Sequence, residues 1–291
     1  MFLKIGLVMF PLLALVGTGF LYARRVQPDF SGVNRLCVDV CLPALIFSSL
    51  SSKHVDLGAQ VPFLGAATVI VLLCGALVWP LSRWAGVSPR AFVPTLAIGN
   101  LGPVGLPVTL LALGPDALTP ALLLLVWVNA IHFTLGVGIM SGKPDFISML
   151  KSPLLWATLL GVLFSAQRWA LPEALALPIQ MVSSILIPMM LISMGARFIH
   201  VPWRAWRVGL IGGALGPSVR IAIAIACISL LPLAPEQRGA LLVFAALPSA
   251  IINFLLADKF RIEAENVAAI VLIGHLLSLV FLPIAVYLSL A

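Results

Sequence analysis

Ala97-Ile98-Gly99-Asn100-Leu101-Gly102-Pro103-Val104-Gly105-Leu106-Pro107 decides how this chain is read. Three glycines, two prolines and an asparagine in eleven residues are poor material for a continuous helix. Each proline removes a backbone donor and clashes with the preceding turn. Yet the stretch sits inside an apolar run near 91–113 that is long enough to cross a membrane, which takes about 20 mostly apolar residues. The reading that reconciles both facts is two half-helices with unwound backbone between them. Such backbone is tolerated at membrane depth only where it faces protein or a water-filled cavity.

Working outward, nine further apolar runs lie near 5–22, 36–51, 59–82, 118–141, 152–170, 175–196, 206–231, 239–257 and 266–290. Hydrophobic residues make up 62% of the 291, and only 9% are charged, against roughly 25% in a soluble domain. So few charges cannot cover a soluble surface of this size, whereas a bilayer removes the need for them. The expected fold is an all-α polytopic membrane protein with ten transmembrane helices. The first run is followed, not preceded, by its stronger charge, Arg24-Arg25, and reads as a retained helix and not as a signal peptide.

The net charge of +7 raises the question of nucleic acid, but the basic residues form no stripe and no aromatic platform lies among them. They mark topology instead. With the N-terminus outside the cytoplasm, the cytoplasmic connections hold Arg24, Arg25, Arg35, Arg83, Arg90, Lys143, Lys151, Arg197, Arg204, Arg207, Lys259 and Arg261. The opposite side holds Lys4, Lys53, Arg168 and Arg238. This asymmetry obeys the positive-inside rule at every step and puts both termini outside the cytoplasm. Cys37, Cys41, Cys74 and Cys227 lie in apolar runs and read as packing residues, since nothing completes a metal or redox site. No cofactor is expected.

The two halves, 1–145 and 146–291, read as related five-helix repeats. Pro43 and Ser48 of the second run recur as Pro188 and Ser193 of the seventh, and Pro103 of the fourth recurs as Pro248 of the ninth, all offset by 145 residues. An odd number of helices per half inverts the second half in the membrane. Inverted repeats with paired broken helices are a frequent plan of secondary transporters, and the breaks mark the transport site. The ninth run carries a milder break at Leu247-Pro248-Ser249-Ala250, followed by Asn253.

Half-helix N-termini attract anions. The candidate substrate-binding residues are therefore Asn100, Gly102, Gly105, Pro107, Pro248, Ser249 and Asn253, with Arg220, the one basic residue well inside a run, as a further anion contact or a snorkelling side chain. The candidate coupling-ion residues are Asp39, Ser48, Ser193, Asn129, His132 and His275. Arg35 lies one turn before Asp39 and is its competing salt-bridge partner. His132 and His275 fall in runs five and ten, which correspond under the repeat, and histidine titrates near neutral pH.

These segments resemble the auxin efflux carrier family, within the bile acid/sodium symporter-like superfamily, whose bacterial members include malate and malonate carriers. The resemblance lies in Asn34-Arg35 with Leu42-Pro43-Ala44-Leu45-Ile46-Phe47, in Gly99-Asn100 with Gly105-Leu106-Pro107, in Ile187-Pro188 with Ile192-Ser193-Met194-Gly195-Ala196, and in Ala246-Leu247-Pro248-Ser249-Ala250 with Asn253 and Ala257. It implies two inverted five-helix repeats, crossing broken helices four and nine, and an elevator-type movement of a crossover domain. It also implies a small organic anion as substrate. Pro103, Asp39 and His275 depart from the family pattern, and the long cytoplasmic loop of plant auxin carriers is absent.

The expected partners are thus a small, dicarboxylate-like organic anion, a coupling proton or sodium ion and the lipid bilayer of a plasma membrane, with a homodimer as a candidate assembly and no nucleic acid. The rival readings are a membrane sensor or structural subunit, which lacks an output domain here, and an intramembrane hydrolase. A hydrolase lacks its second carboxylate, its His-Glu-x-x-His run and the glycines of a serine nucleophile.

Overall fold

A computed structural model describes residues 2–52, 56–143, 145–200 and 203–290. Lys53 and the two terminal residues, which entered the charge and orientation reading, lie outside the described residues. The helices are α1 (Phe2–Val26), α2 (Ser31–Ser51), α3 (Leu57–Trp84), α4 (Pro89–Ala97), α5 (Leu101–Leu113), α6 (Pro115–Ser141), α7 (Phe146–Leu150), α8 (Pro153–Gln167), α9 (Glu173–Arg197), α10 (Trp206–Leu230), α11 (Pro235–Ala246), α12 (Ile251–Lys259) and α13 (Ala264–Leu290). Six of them, α2, α3, α6, α9, α10 and α13, are long and apolar enough to cross a membrane, and α5 and α8 are shorter apolar helices. The chain is an all-helical membrane protein. All ten apolar runs of the sequence fall on helix, and two are split: the fourth into α4 and α5, the ninth into α11 and α12.

The helices cluster into two compact units. One comprises Met1–Met9, Val61–Phe146 and His200–Ala291; the other comprises Phe10–Gln60 and Ile147–Ile199. The first unit therefore holds both split runs. Each unit takes one main stretch from each half of the chain.

Within the second unit, α1 and α9 approach at backbone distance. A Cβ on Gly19 would overlap the Ile192 carbonyl, and one on Gly195 would overlap the Val16 carbonyl. Small residues at a helix contact give this closeness, since apolar burial contributes little between helices in lipid. Within the first unit, α10 and α13 pack through a stripe of the same kind. Gly209, Gly212 and Gly213 face Ala269, Ile270, Ile273 and Gly274, and a Cβ on Gly213 would stand 2.9 Å from the Gly274 Cα. That contact sets the level of His275, the next residue on α13, and of Arg220, two turns further along α10.

Among the described residues, three helices hold π-helical turns: Cys37–Cys41 in α2, Leu101–Gly105 in α5 and His132–Gly136 in α6. Such single wide turns often mark functional positions. The one in α5 accommodates Pro103 and precedes Pro107, so the missing N–H groups fall where the normal ladder is already interrupted.

Candidate functional site

The two breaks meet inside the first unit. Ile98, at φ −116° and ψ 115°, and Leu247, at φ −61° and ψ 144°, are extended. Gly99 and Ser249 form an isolated antiparallel bridge. The Asn100 N–H donates to the Pro248 carbonyl at 2.8 Å, and the Ala250 N–H donates to the Ile98 carbonyl at 3.1 Å. Backbone groups without water must find partners, and here each break supplies them to the other. α5 and α12 start from this crossing; α4 and α11 end at it.

Close approach explains the glycines of the first break. A Cβ on Gly99 would lie 2.9 Å from the Leu247 Cβ and 3.2 Å from the Phe244 carbonyl oxygen, and one on Gly105 would lie 2.9 Å from the Leu247 Cδ1. Gly102 differs. It is buried, yet a Cβ there would meet nothing within 4 Å, so open space adjoins the first turn of α5. Its glycine is not required by packing.

Arg220 is buried at the crossing, with 1% of its surface exposed. Its Nε donates to the Ala245 carbonyl at 3.1 Å, and its two terminal nitrogens donate to the carbonyls of Leu96 and Leu247. These carbonyls end α4 and α11, where helices carry orphan acceptors and partial negative charge. One guanidinium therefore ties the C-terminal ends of both half-helices. Arg220 does not snorkel.

The polar side chains of the site form two Asn–His groupings. Asn100 Nδ2 lies 2.9 Å from His275 Nε2, and His275 Nδ1 lies 2.6 Å from the Val271 carbonyl. On the other side, Ser249 Oγ donates to the Thr95 carbonyl at 2.5 Å, and Asn253 Nδ2 donates to Ser249 Oγ at 3.3 Å. The Asn253 side chain also lies beside the His132 ring, but Asn253 Oδ1 and His132 Nε2 are buried without a hydrogen-bond partner. Buried polar atoms in that condition are rare and ask for a missing partner. His132 opens the π turn of α6, and a Cβ on Gly136 would come within 3.3 Å of Ile98 Cδ1, packing this turn against the first break.

The remaining candidates sit elsewhere. Pro107 is buried in α5 and Asn129 is half-buried on α6, one turn before His132. Asp39, Ser48 and Ser193 belong to the second unit. Asp39 is exposed on the π turn of α2, and no ion pair joins it to Arg35 among the described residues. Ser48 donates to the Leu45 carbonyl at 3.4 Å, and Ser193 to Asn34 Oδ1 at 2.6 Å. A cavity of about 550 Å³ in that unit is lined by Ser48, Ser51, Ser165, Arg168 and Gln180 among others. Sequence reasoning passed over Thr95, Leu96 and Ala245 and quoted Leu247 only as part of the second break; all four act here through backbone carbonyls or bulk. Only the leucine beside Pro248 could have drawn notice.

The chain matches the family described as membrane transport protein over residues 140–286, half of its length. An uncharacterized transporter of Methanothermobacter thermautotrophicus is 26% identical over 272 residues, covering 89% of this chain and 88% of that protein. A protein of Rhizobium meliloti described as a "Putative malonate transporter" is 26% identical over 298 residues, covering 94% and 92%. An uncharacterized transporter of Methanocaldococcus jannaschii is 24% identical over 272 residues, covering 87% of each.

Proposed function

The chain belongs to the membrane transport protein family, that of the auxin efflux carriers, and from that premise we propose that it carries a small dicarboxylate-like anion across a plasma membrane, driven by a proton or sodium gradient. This is a family of transporters and not of enzymes. The observation that carries the anion reading is the crossing of the two breaks. It directs the first turns of α5 and α12 away from one bridged pair of backbone segments. The first N–H groups of a helix have no intrahelical acceptor and carry partial positive charge, so both starts favour a carboxylate. The open space beside Gly102 gives the anion somewhere to lie, and Asn100, Ser249 and Asn253 are buried polar side chains of the same two breaks.

Arg220 contributes to this site through the field. Its charge is fixed at the crossing by three carbonyls, and a positive group in low dielectric acts over several ångströms. The name of the Rhizobium relative points the reading toward malonate.

The layout proposed is two inverted five-helix repeats, 1–145 and 146–291, with both termini outside the cytoplasm. The division of each unit between the two halves of the chain supports it. The unit that holds the crossing would be the element that moves in an elevator-type cycle, and the second copy in a homodimer would leave that unit free. Uptake of labelled malonate, malate and succinate into proteoliposomes tests the function. The expected outcome is saturable uptake of at least one dicarboxylate that a proton or sodium gradient accelerates. Uptake of none, with neutral or cationic solutes moving instead, would refute it.

A further inference from the structure

His275 occupies an unusual position for a titratable side chain. It is 3% exposed, on α13 next to the Gly274 contact with α10, and both ring nitrogens face hydrogen-bonding groups. The group opposite Nδ1 is the Val271 carbonyl, at 2.6 Å. A carbonyl can only accept, so Nδ1 carries a proton whether the ring is neutral or charged. The variable proton therefore belongs to Nε2. In the neutral ring Nε2 is a bare acceptor, and it accepts from the Asn100 amide nitrogen at 2.9 Å.

We propose that His275 Nε2 is the coupling-proton site, and that Asn100 converts its charge into affinity for the anion. When Nε2 gains a proton it becomes a donor and faces another donor, the Asn100 NH2 group. The amide must then turn by half a revolution so that Oδ1 accepts from Nε2. This turn exchanges what Asn100 presents on its opposite side. With His275 neutral, a carbonyl oxygen points away from the ring and repels a carboxylate. With His275 protonated, an NH2 group points there and binds one. Asn100 is held in the break by its own backbone bond to Pro248, so the exchange happens at the crossing itself. No covalent bond other than the N–H changes. This inference rests on the anion-transport reading above and names its driving ion.

The surrounding charges reinforce the coupling. α13 packs against α10, α11, α12, α4 and the turn at Trp203–Ala205. Among the described residues these carry Arg207, Arg220 and Cys227 on α10, Glu236 and Arg238 at the start of α11, Asp258 and Lys259 at the end of α12, Arg90 at the start of α4, and Arg204 in the turn. On α13 itself Glu265 and Tyr287 stand about 15 and 18 Å from His275 along the axis at 1.5 Å per residue. His132 shares the unit, on α6. Arg220 is the charged group tied to the crossing, and it opposes a second positive charge on His275. An anion offsets that repulsion, so proton and anion bind best together. No Asp or Glu is buried among the described residues, which leaves a sodium ion without an anionic ligand here.

The test has two arms. In the first, protein with ¹⁵N-labelled histidine is placed in nanodiscs, and His275 is assigned by comparison with His275→Gln. The expected neutral tautomer carries its proton on Nδ1, and Asn100→Asp, which sets a carboxylate beside Nε2, raises the titration of His275 by more than about one pH unit. An Nε2–H tautomer, or a titration unmoved by Asn100→Asp, would overturn the proposal whatever the substrate is. In the second arm, proteoliposomes held at zero membrane potential accumulate labelled malonate. Wild type should reach about tenfold accumulation per unit of inward proton gradient, the ratio equivalent to about 1.4 kcal/mol, and His275→Gln should fall to about one. Wild-type accumulation in His275→Gln contradicts the proposal. If wild type moves no dicarboxylate, the function reading fails, and the histidine arm alone decides the switch. It decides likewise if His275→Gln takes up nothing.

Discussion

The two breaks do the same structural work with opposite materials. The first, around Gly99, is built from glycine and lets another chain segment lie against its backbone. The second, around Pro248, has no glycine and supplies the bulk that fills that groove: Leu247, fully buried, is the side chain that meets both Gly99 and Gly105. Their ends differ too. α4 and α11 both stop at the crossing, but one arginine on α10 ties both, and the position 145 residues before it on α3 is Gly75. The lesson is that crossing segments need complementarity and not likeness. One must yield space, one must occupy it, and a single cation can serve both ends.

That comparison can be broken in three places. Arg220→Met should have the largest effect. It keeps the bulk but removes the Arg220 donors from the carbonyls of Leu96, Ala245 and Leu247; Leu96 keeps the weak Cys74 thiol at 3.8 Å, and at about 1–3 kcal/mol for each of the other two the loss should be at least about 2 kcal/mol by denaturant unfolding in detergent. Arg220→Lys, with its three donors on one atom, should recover part of that loss, because it keeps the charge but not the fork. Next is Gly99→Ala, whose new methyl group meets the Leu247 Cβ and a backbone carbonyl that cannot rotate away. Overpacking of that kind costs about 1–3 kcal/mol, whereas alanine beside Pro248, at Ser249, removes a hydroxyl without a clash. The smallest is Gly105→Ala. Its methyl group meets the flexible ends of Leu247, at 2.9 Å, and of Leu101, at 3.3 Å, and should cost about 1 kcal/mol. The same substitution made on top of Leu247→Ala should cost less, since only the Leu101 contact remains. An unchanged cost in both backgrounds would remove Leu247 from the account.

How much of this was legible in sequence follows from where each signal lives. The helical segments show because apolar runs of membrane length are local. The first break shows because its glycines and prolines crowd into eleven residues; the second is faint because its share of the crossing is made by an ordinary leucine. The role of Arg220 was hidden. Its partners are backbone carbonyls 25, 27 and 124 residues away, and a carbonyl acceptor leaves no mark on residue type. The two Asn–His groupings were equally out of reach as pairs, since Asn100 and His275 are 175 residues apart, although each residue stood out singly as polar in an apolar run. The serines matched by the 145-residue offset, Ser48 and Ser193, find different partners, one a local carbonyl and the other Asn34. A shared motif position does not dictate a shared contact.

The central claim is that substrate lies at the crossing, beside the first turns of α5 and α12. Gly102 tests it most directly, because open space and not packing surrounds its missing side chain. Gly102→Leu should unfold within about 1 kcal/mol of wild type, the helix-propensity scale for glycine, while initial uptake of labelled dicarboxylate into proteoliposomes falls at least tenfold. A folded Gly102→Leu protein that transports at the wild-type rate and affinity would contradict the account.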